Sequence, residues 1–254
     1  MAGLETMLER IRQALGHSAA PGSSRSEPAR FPPLPPDSIM PPIPPERLLA
    51  KFEEEMGKVG GDCHRASTRP ELDYLVQTLL AGCGATEVVL SRNPLLAELD
   101  LAARLSDRGV VVSSYGRDAV DQASGPGGGR DLKAAEAAFR ARCFSAGAGI
   151  TGADFALAES GSLVLTSSTE GSQLASLAPP VHIALYRRRH LVAYLEQVLA
   201  ALPLGLGPGD AGAGRAVVFI TGPSRTADIE QVLIRGVHGP RQVHAILVED
   251  ACLA

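Results

Sequence analysis

AVVFITGPSRTADIEQVLIRGVHGPRQVHAILV, residues 216 to 248, is the stretch whose reading decides the fold. Ala216 to Ile220 and Val243 to Val248 are short apolar runs of strand length, rich in β-branched residues. Between them Gly222-Pro223 turns the chain and Ser224 or Thr226 can cap a helix, so the segment from about Thr226 to Arg235 reads as that helix. Gly236 is its natural left-handed cap, and Gly239-Pro240 turns the chain back. Strand, crossover helix and strand form the unit that builds a parallel sheet with helices on its faces.

Working outward, VHIALY from Val181 is another apolar strand, followed by a helix carrying Leu191, Val192, Leu195, Val198 and Leu199. Upstream, EVVLS from Glu87 reads as a strand and GVVVSS from Gly109 as a buried parallel one, with a helix from Asn93-Pro94 through Leu105 between them. Another helix covers roughly Asp131 to Arg142. Thr68 and Glu71 make a capping-box pattern before LDYLVQTLL, which Gly82 stops, and the first helix of the domain runs from about Glu46 to Lys58. This alternation predicts an α/β fold, a Rossmann-like three-layer arrangement around a mostly parallel sheet.

The domain so defined covers residues 46–254. Ahead of it, Leu4, Met7, Leu8, Ile11 and Leu15 share one face of an amphipathic helix over residues 1–16. Residues 17–45 are a linker, since ten of the nineteen prolines fall between positions 21 and 45 and proline favours extended backbone. The arm is expected to pack on its own core or on a second copy of the chain, which would make a homo-oligomer; the alternative reading is a partner-recognition helix.

A net charge of -4 offers no electrostatic excess for a nucleic-acid backbone or an anionic membrane, so small ligands and protein partners are the expected company. No apolar run approaches bilayer-spanning length, and the N-terminus lacks the basic and apolar regions of a secretory signal. A cytoplasmic protein is expected. Cys63, Cys83, Cys143 and Cys252 are scattered without a CxxC pair, and the six histidines form no HxxxH or HExxH, so neither an iron–sulfur cluster nor another metal has a local ligand set. No cofactor is evident.

Several motifs bear on chemistry. In TGPSRTADIE, Thr221, Gly222, Ser224 and Arg225 bring hydroxyls, free amides and a guanidinium to what the predicted unit makes the carboxyl edge of the sheet, a combination suited to a carboxylate or phosphate. Asp228 and Glu230 in the same turn oppose an anion, and the competing reading is a capped helix with Arg225 paired to Asp228. His238, between two glycines, is a reachable side chain, but a simple crossover would put it at the opposite edge from Arg225. In ADFALAESGSLVLTSS, Asp154 and Glu159 stand among small residues, where burial would raise the pKa of Glu159 and suit it to act as base or nucleophile; the alternative is that Glu159 accepts amides of the Ser160-Gly161 turn. Gly147, Gly149 and Gly152 spell GxGxxG without the strand–helix context of a dinucleotide site, which excludes NAD. Cys63-His64 reads as a loop pair, and RRRH from Arg187 to His190 as a solvated strand-to-helix junction.

Taken together, RIRQALG near the start, GITGADFALAESGSLVL, SLAPPVHIAL and above all TGPSRTADIEQVLIRGVHGP resemble the LUD domain of the lactate-utilisation protein C family. The resemblance implies a fold related to the sugar-isomerase and CoA-transferase-like group. It also implies a part in oxidising L-lactate to pyruvate as a non-redox component, with iron–sulfur clusters on partner proteins. Residues that match its pattern are Asp154, Glu159, Gly161, His182, Thr221, Gly222, Ser224, Arg225, Asp228, Glu230, His238 and Gly239. An alternative function is an enzyme of CoA-transferase-like type, acting on a carboxylate or phosphorylated ligand with Glu159 as nucleophile; the residues leave the chemical step open.

Overall fold

The computed structural model describes residues 42–116, 132–202, 214, 216–227, 233–236 and 238–253. The predicted arm, nearly all of the linker, residues 117–131, and Asp228 and Glu230 lie outside the described residues. The domain's first helix, α1 (Leu48–Lys58), follows a 3-10 turn at Pro45–Arg47 and buries Leu49, Phe52 and Met56 along one face. Strand β1 (Asp62–Ala66) leads to α2 (Arg69–Gly82), where the Thr68 hydroxyl accepts from the Glu71 amide and the Glu71 carboxylate accepts from the Ser67 amide at 2.7 Å. That reciprocal pair is the capping box with its return bond shifted by one residue.

Beyond β2 (Glu87–Leu90) the predicted single helix is two: α3 (Pro94–Glu98) and α4 (Leu101–Ser106). Asp100 breaks them, at φ 49, a left-handed backbone that Asp tolerates better than most residues. Next come β3 (Val111–Ser114), α5 (Leu132–Ser145) and β4 (Ala148–Gly152). The Gly-rich passage is therefore a strand, every residue of it buried. A Cβ at Gly149 would overlap the Ala175 carbonyl oxygen, and one at Gly152 the Asn93 amide, so these glycines admit neighbours that any side chain would displace.

The chain continues through β5 (Phe155–Leu157), β6 (Ser162–Thr166), α6 (Ser167–Glu170), α7 (Leu174–Leu177), β7 (Val181–Tyr186), β8 (Leu191–Val192), α8 (Leu195–Ala201), β9 (Val217–Ile220) and β12 (Gln242–Val248). Between the last two, β10 (Arg225–Ala227) and β11 (Leu233–Arg235) pair antiparallel, Arg225 opposite Arg235. This overturns the predicted helix over Thr226 to Arg235. β-branched residues such as Thr226 and Ile234 favour strands over helices, and pairing between the two strands decides the outcome. Leu191 and Val192, expected in a helix, are a short strand beside β5.

Six strands form one all-parallel sheet in the order β1-β12-β7-β4-β2-β3. A second sheet, β8-β5-β6-β9, is antiparallel at both pairings of β6. β9 and β12 thus belong to different sheets, so the predicted βαβ unit does not exist as such. β3, expected to be buried, is an edge strand with Val111 half exposed. One face of the large sheet packs Val88, Ile150, Ile183 and Ile246 against α2, α3 and α4. The other packs Ala184, Tyr186, Ala245 and Leu247 against α1 and the smaller sheet, and Val89 against α5. Three layers result, as the alternating pattern requires. No helix among the described residues is long and apolar enough to cross a membrane.

Candidate functional site

Strand order locates the crevice. From β2 the chain steps outward to β3, then returns to the other side of β2 for β4 and continues to β7. Where strand order reverses, the loops leaving neighbouring carboxyl ends diverge and open a binding crevice. A pocket of about 160 Å³ lies there, walled by Asn93, Pro94, Leu95 and Glu98 after β2, Ala153 and Asp154 after β4, Arg187, Arg189 and His190 after β7, and Thr169 of α6.

Each polar wall residue is held by its local structure. Asn93 caps α3 by accepting from the Leu95 amide at 3.0 Å, and its side-chain NH2 donates to Glu170. Asp154 accepts from the Thr166 amide at 2.7 Å and from the Thr169 hydroxyl at 2.9 Å. Glu170, 1% exposed, lies behind Asn93, and its second carboxylate oxygen has no hydrogen-bond partner among the described residues. Burial pushes its pKa up to about 7, with Asp154 nearby adding to the rise and bonds from Ser91, Asn93 and the Gly152 backbone opposing it. Arg187, buried at the end of β7, forms an ion pair with Glu98. Burial, then Arg189 and Arg187, holds His190 below the ordinary histidine range, so its ring is neutral near pH 7. The assembly can bind an anion on its cationic wall and hold a proton on the carboxyl behind it.

The sequence-predicted residues lie elsewhere. Ser224 N–H donates to the Pro240 carbonyl at 2.9 Å, just ahead of β12, which puts the TGPSR turn at the amino edge of the large sheet and not at its carboxyl edge. The Thr221 hydroxyl is bonded to Ser162 at 2.7 Å, which in turn meets Ser160 at 2.8 Å, and Gly222 (φ 76) packs against Val59. Ser224 O also accepts from the Gly236 amide, so two expected ligand groups of this turn, the Ser224 amide and the Thr221 hydroxyl, have protein partners. Arg225 and His238 are both exposed, and Gly239 packs on Ser224, so the hairpin brings His238 to the same turn as Arg225 where a crossover helix would have parted them. Asp228 lies outside the described residues. Glu159 is partly exposed, and its carboxylate accepts from the Leu195 amide at 2.7 Å, at the start of α8; an acyl-transfer role would have to break that bond.

His182 is fully buried with Nε2 2.8 Å from the Thr151 hydroxyl, and burial foremost, then His244, pulls its pKa to about 3. Cys63 and His64 are on β1 rather than in a loop, and His64 Nε2 lies 3.2 Å from His244 Nδ1. Burial, helped by Glu53 and Asp62, pushes the Cys63 thiol to about 12, against an ordinary 9.0. We therefore expect alkylation of Cys63 by iodoacetamide at pH 8 to run roughly a thousandfold slower in the folded than in the unfolded chain, read by mass spectrometry; equal rates would contradict the thiol's enclosure.

Glu170, Asn93, Arg187 and His190 escaped the sequence reading. Asn93 was visible as a helix cap and Arg187–His190 as a basic cluster, but only the return of β4 to the side of β2 converts them into neighbours.

Comparison with known proteins gives a consistent family. The LUD domain pattern matches residues 49–248. Lactate utilization protein C from Halalkalibacterium halodurans is 29% identical over 247 residues, 97% of each chain. Its counterpart from Geobacillus thermodenitrificans is 28% identical over 97% of this chain and 96% of its own. Among solved structures, a DUF162 family protein from Deinococcus radiodurans aligns with a TM-score of 0.53 at 20% identity, over 82% of this chain and 99% of that one, a likeness of fold.

Proposed function

The chain belongs to the LUD domain family, and on that premise we propose that it serves L-lactate utilisation as a non-redox component working beside iron–sulfur proteins. The observation that carries this reading is the match to relatives named Lactate utilization protein C, which covers 96–97% of each chain rather than a shared fragment. Oxidising L-lactate to pyruvate releases two electrons and two protons, and the electrons need carriers. The four cysteines here stand on separate elements, and burial keeps Cys63 and Cys143 as protonated thiols, with pKa near 12 and 11. A division of labour, with clusters on partner proteins and the small acid handled here, fits that arrangement.

Deleting the gene in a host that grows on L-lactate is expected to abolish growth on L-lactate while leaving growth on pyruvate intact. A tagged copy should restore growth and co-purify with proteins showing the broad visible absorption of iron–sulfur clusters. Undiminished growth of the deletion strain on L-lactate would sink the proposal.

A further inference from the structure

The switch-point pocket carries a buried cation that the fold does not fully satisfy. Arg187 is 7% exposed; one of its terminal nitrogens pairs with Glu98, whose side chain is 50% exposed, and its Nε–H has no partner among the described residues. A buried donor left unpaired is costly, and a charged one more so, which favours the arrival of an acceptor. Arg189 and His190 share the wall with it, while Pro94, Leu95 and Ala153 supply apolar contact. The volume of about 160 Å³ is below the roughly 300–1,000 Å³ of pockets that hold drug-sized ligands, which suits a small guest.

We propose that this pocket binds a short monocarboxylate, whose carboxylate accepts from the Arg187 guanidinium and whose carbon chain lies on Pro94, Leu95 and Ala153. The identity of the acid, L-lactate or pyruvate, rests on the lactate-utilisation reading; the class of ligand rests on the pocket. Glu98 and Asp154 line the same walls, so each further negative charge on a ligand meets two carboxylates at short range. A monoanion offsets that repulsion on Arg187 and Arg189. Phosphate and dicarboxylates carry an additional charge with no further cation to receive it.

Calorimetric titration of the purified full chain tests this, with L-lactate, pyruvate, inorganic phosphate and succinate as probes. Saturable binding of L-lactate or pyruvate is expected, at least tenfold tighter than of phosphate or succinate. Arg187→Met should weaken it more than tenfold. Because that change also removes a buried ion pair and could compromise folding, Glu98→Gln is the second variant: it frees the guanidinium and should tighten binding several-fold. Absence of binding by the folded wild type, preference for phosphate, or a Glu98→Gln affinity no higher than wild type overturns the proposal. Loss of growth on L-lactate in the deletion strain without binding here would remove the pocket and leave the functional reading intact; binding without any growth defect would do the reverse.

Discussion

Glu170→Gln is expected to make the protein more stable at pH 8, by about 1–3 kcal/mol, and to remove the fall in stability that Glu170 contributes between about pH 4.5 and 7. Moving the carboxyl from its ordinary 4.5 to about 7 corresponds to about 3 kcal/mol, and the group is almost fully buried, so solvent screens little of it. Below pH 4.5 the carboxyl is neutral in both folded and unfolded chains. Between there and 7 the folded protein keeps a proton that the unfolded chain has released, so stability falls as pH rises, and above 7 the charge sits buried at full cost. Gln retains the acceptor for the Asn93 NH2 and never ionises. His182 acts with the opposite sign: held near 3, it stays neutral while the unfolded chain protonates below 6.5, so acid destabilises through it. Wild-type stability between pH 4.5 and 6.5 is therefore a partial cancellation, and the difference between the two proteins isolates Glu170. Urea midpoints at pH 5, 6, 7 and 8 measure it; parallel profiles would show that Glu170 does not titrate as its burial requires.

Gly149→Ala should cost about 3 kcal/mol, lowering Tm by about 6–12 °C for a chain of this size. The added methyl would run into the backbone carbonyl of Ala175 on α7, and backbone cannot yield as a side-chain tip can. Gly149 lies in β4, between β2 and β7, so the strand has no free edge toward which to relax. Gly57 is the matched control: it is in α1 with open space around its Cβ position, and Gly57→Ala should raise stability by about 0.5–1 kcal/mol. Calorimetric unfolding of the two variants decides this, since similar shifts would refute the close approach.

What the residues announced and what they concealed divide by the range of the interaction. Val181–Tyr186, Val217–Ile220 and Gln242–Val248 were readable because unbroken apolar runs identify strands wherever they go. Thr68 and Glu71 fixed a helix start through bonds three and four residues apart. Thr226 to Arg235 misled because its hydrophobic spacing suits two structures and only pairing across the hairpin chooses. β4 was hidden in a glycine-rich passage whose glycines answer to Ala175 and Asn93, distant in sequence. For the site the consequence was sharper. Placing the TGPSR turn depended on knowing which sheet β9 joins, and the Asp154–Glu170–Arg187 neighbourhood depended on the order of β2, β4 and β7.

β12, the most C-terminal of the described strands, is inserted between β1, the most N-terminal of them, and β7, with Arg69 donating to the Cys252 carbonyl at 2.9 Å to tie the two regions further. Vectorial synthesis therefore cannot complete the large sheet in order: β1 has no neighbour in it, and β7 exposes one ladder of backbone donors and acceptors, until residues 242–248 emerge. Nascent chains must wait with an open slot between β1 and β7, a natural target for holding chaperones. Any truncation that removes those residues leaves a permanent sticky edge rather than a slightly shorter protein.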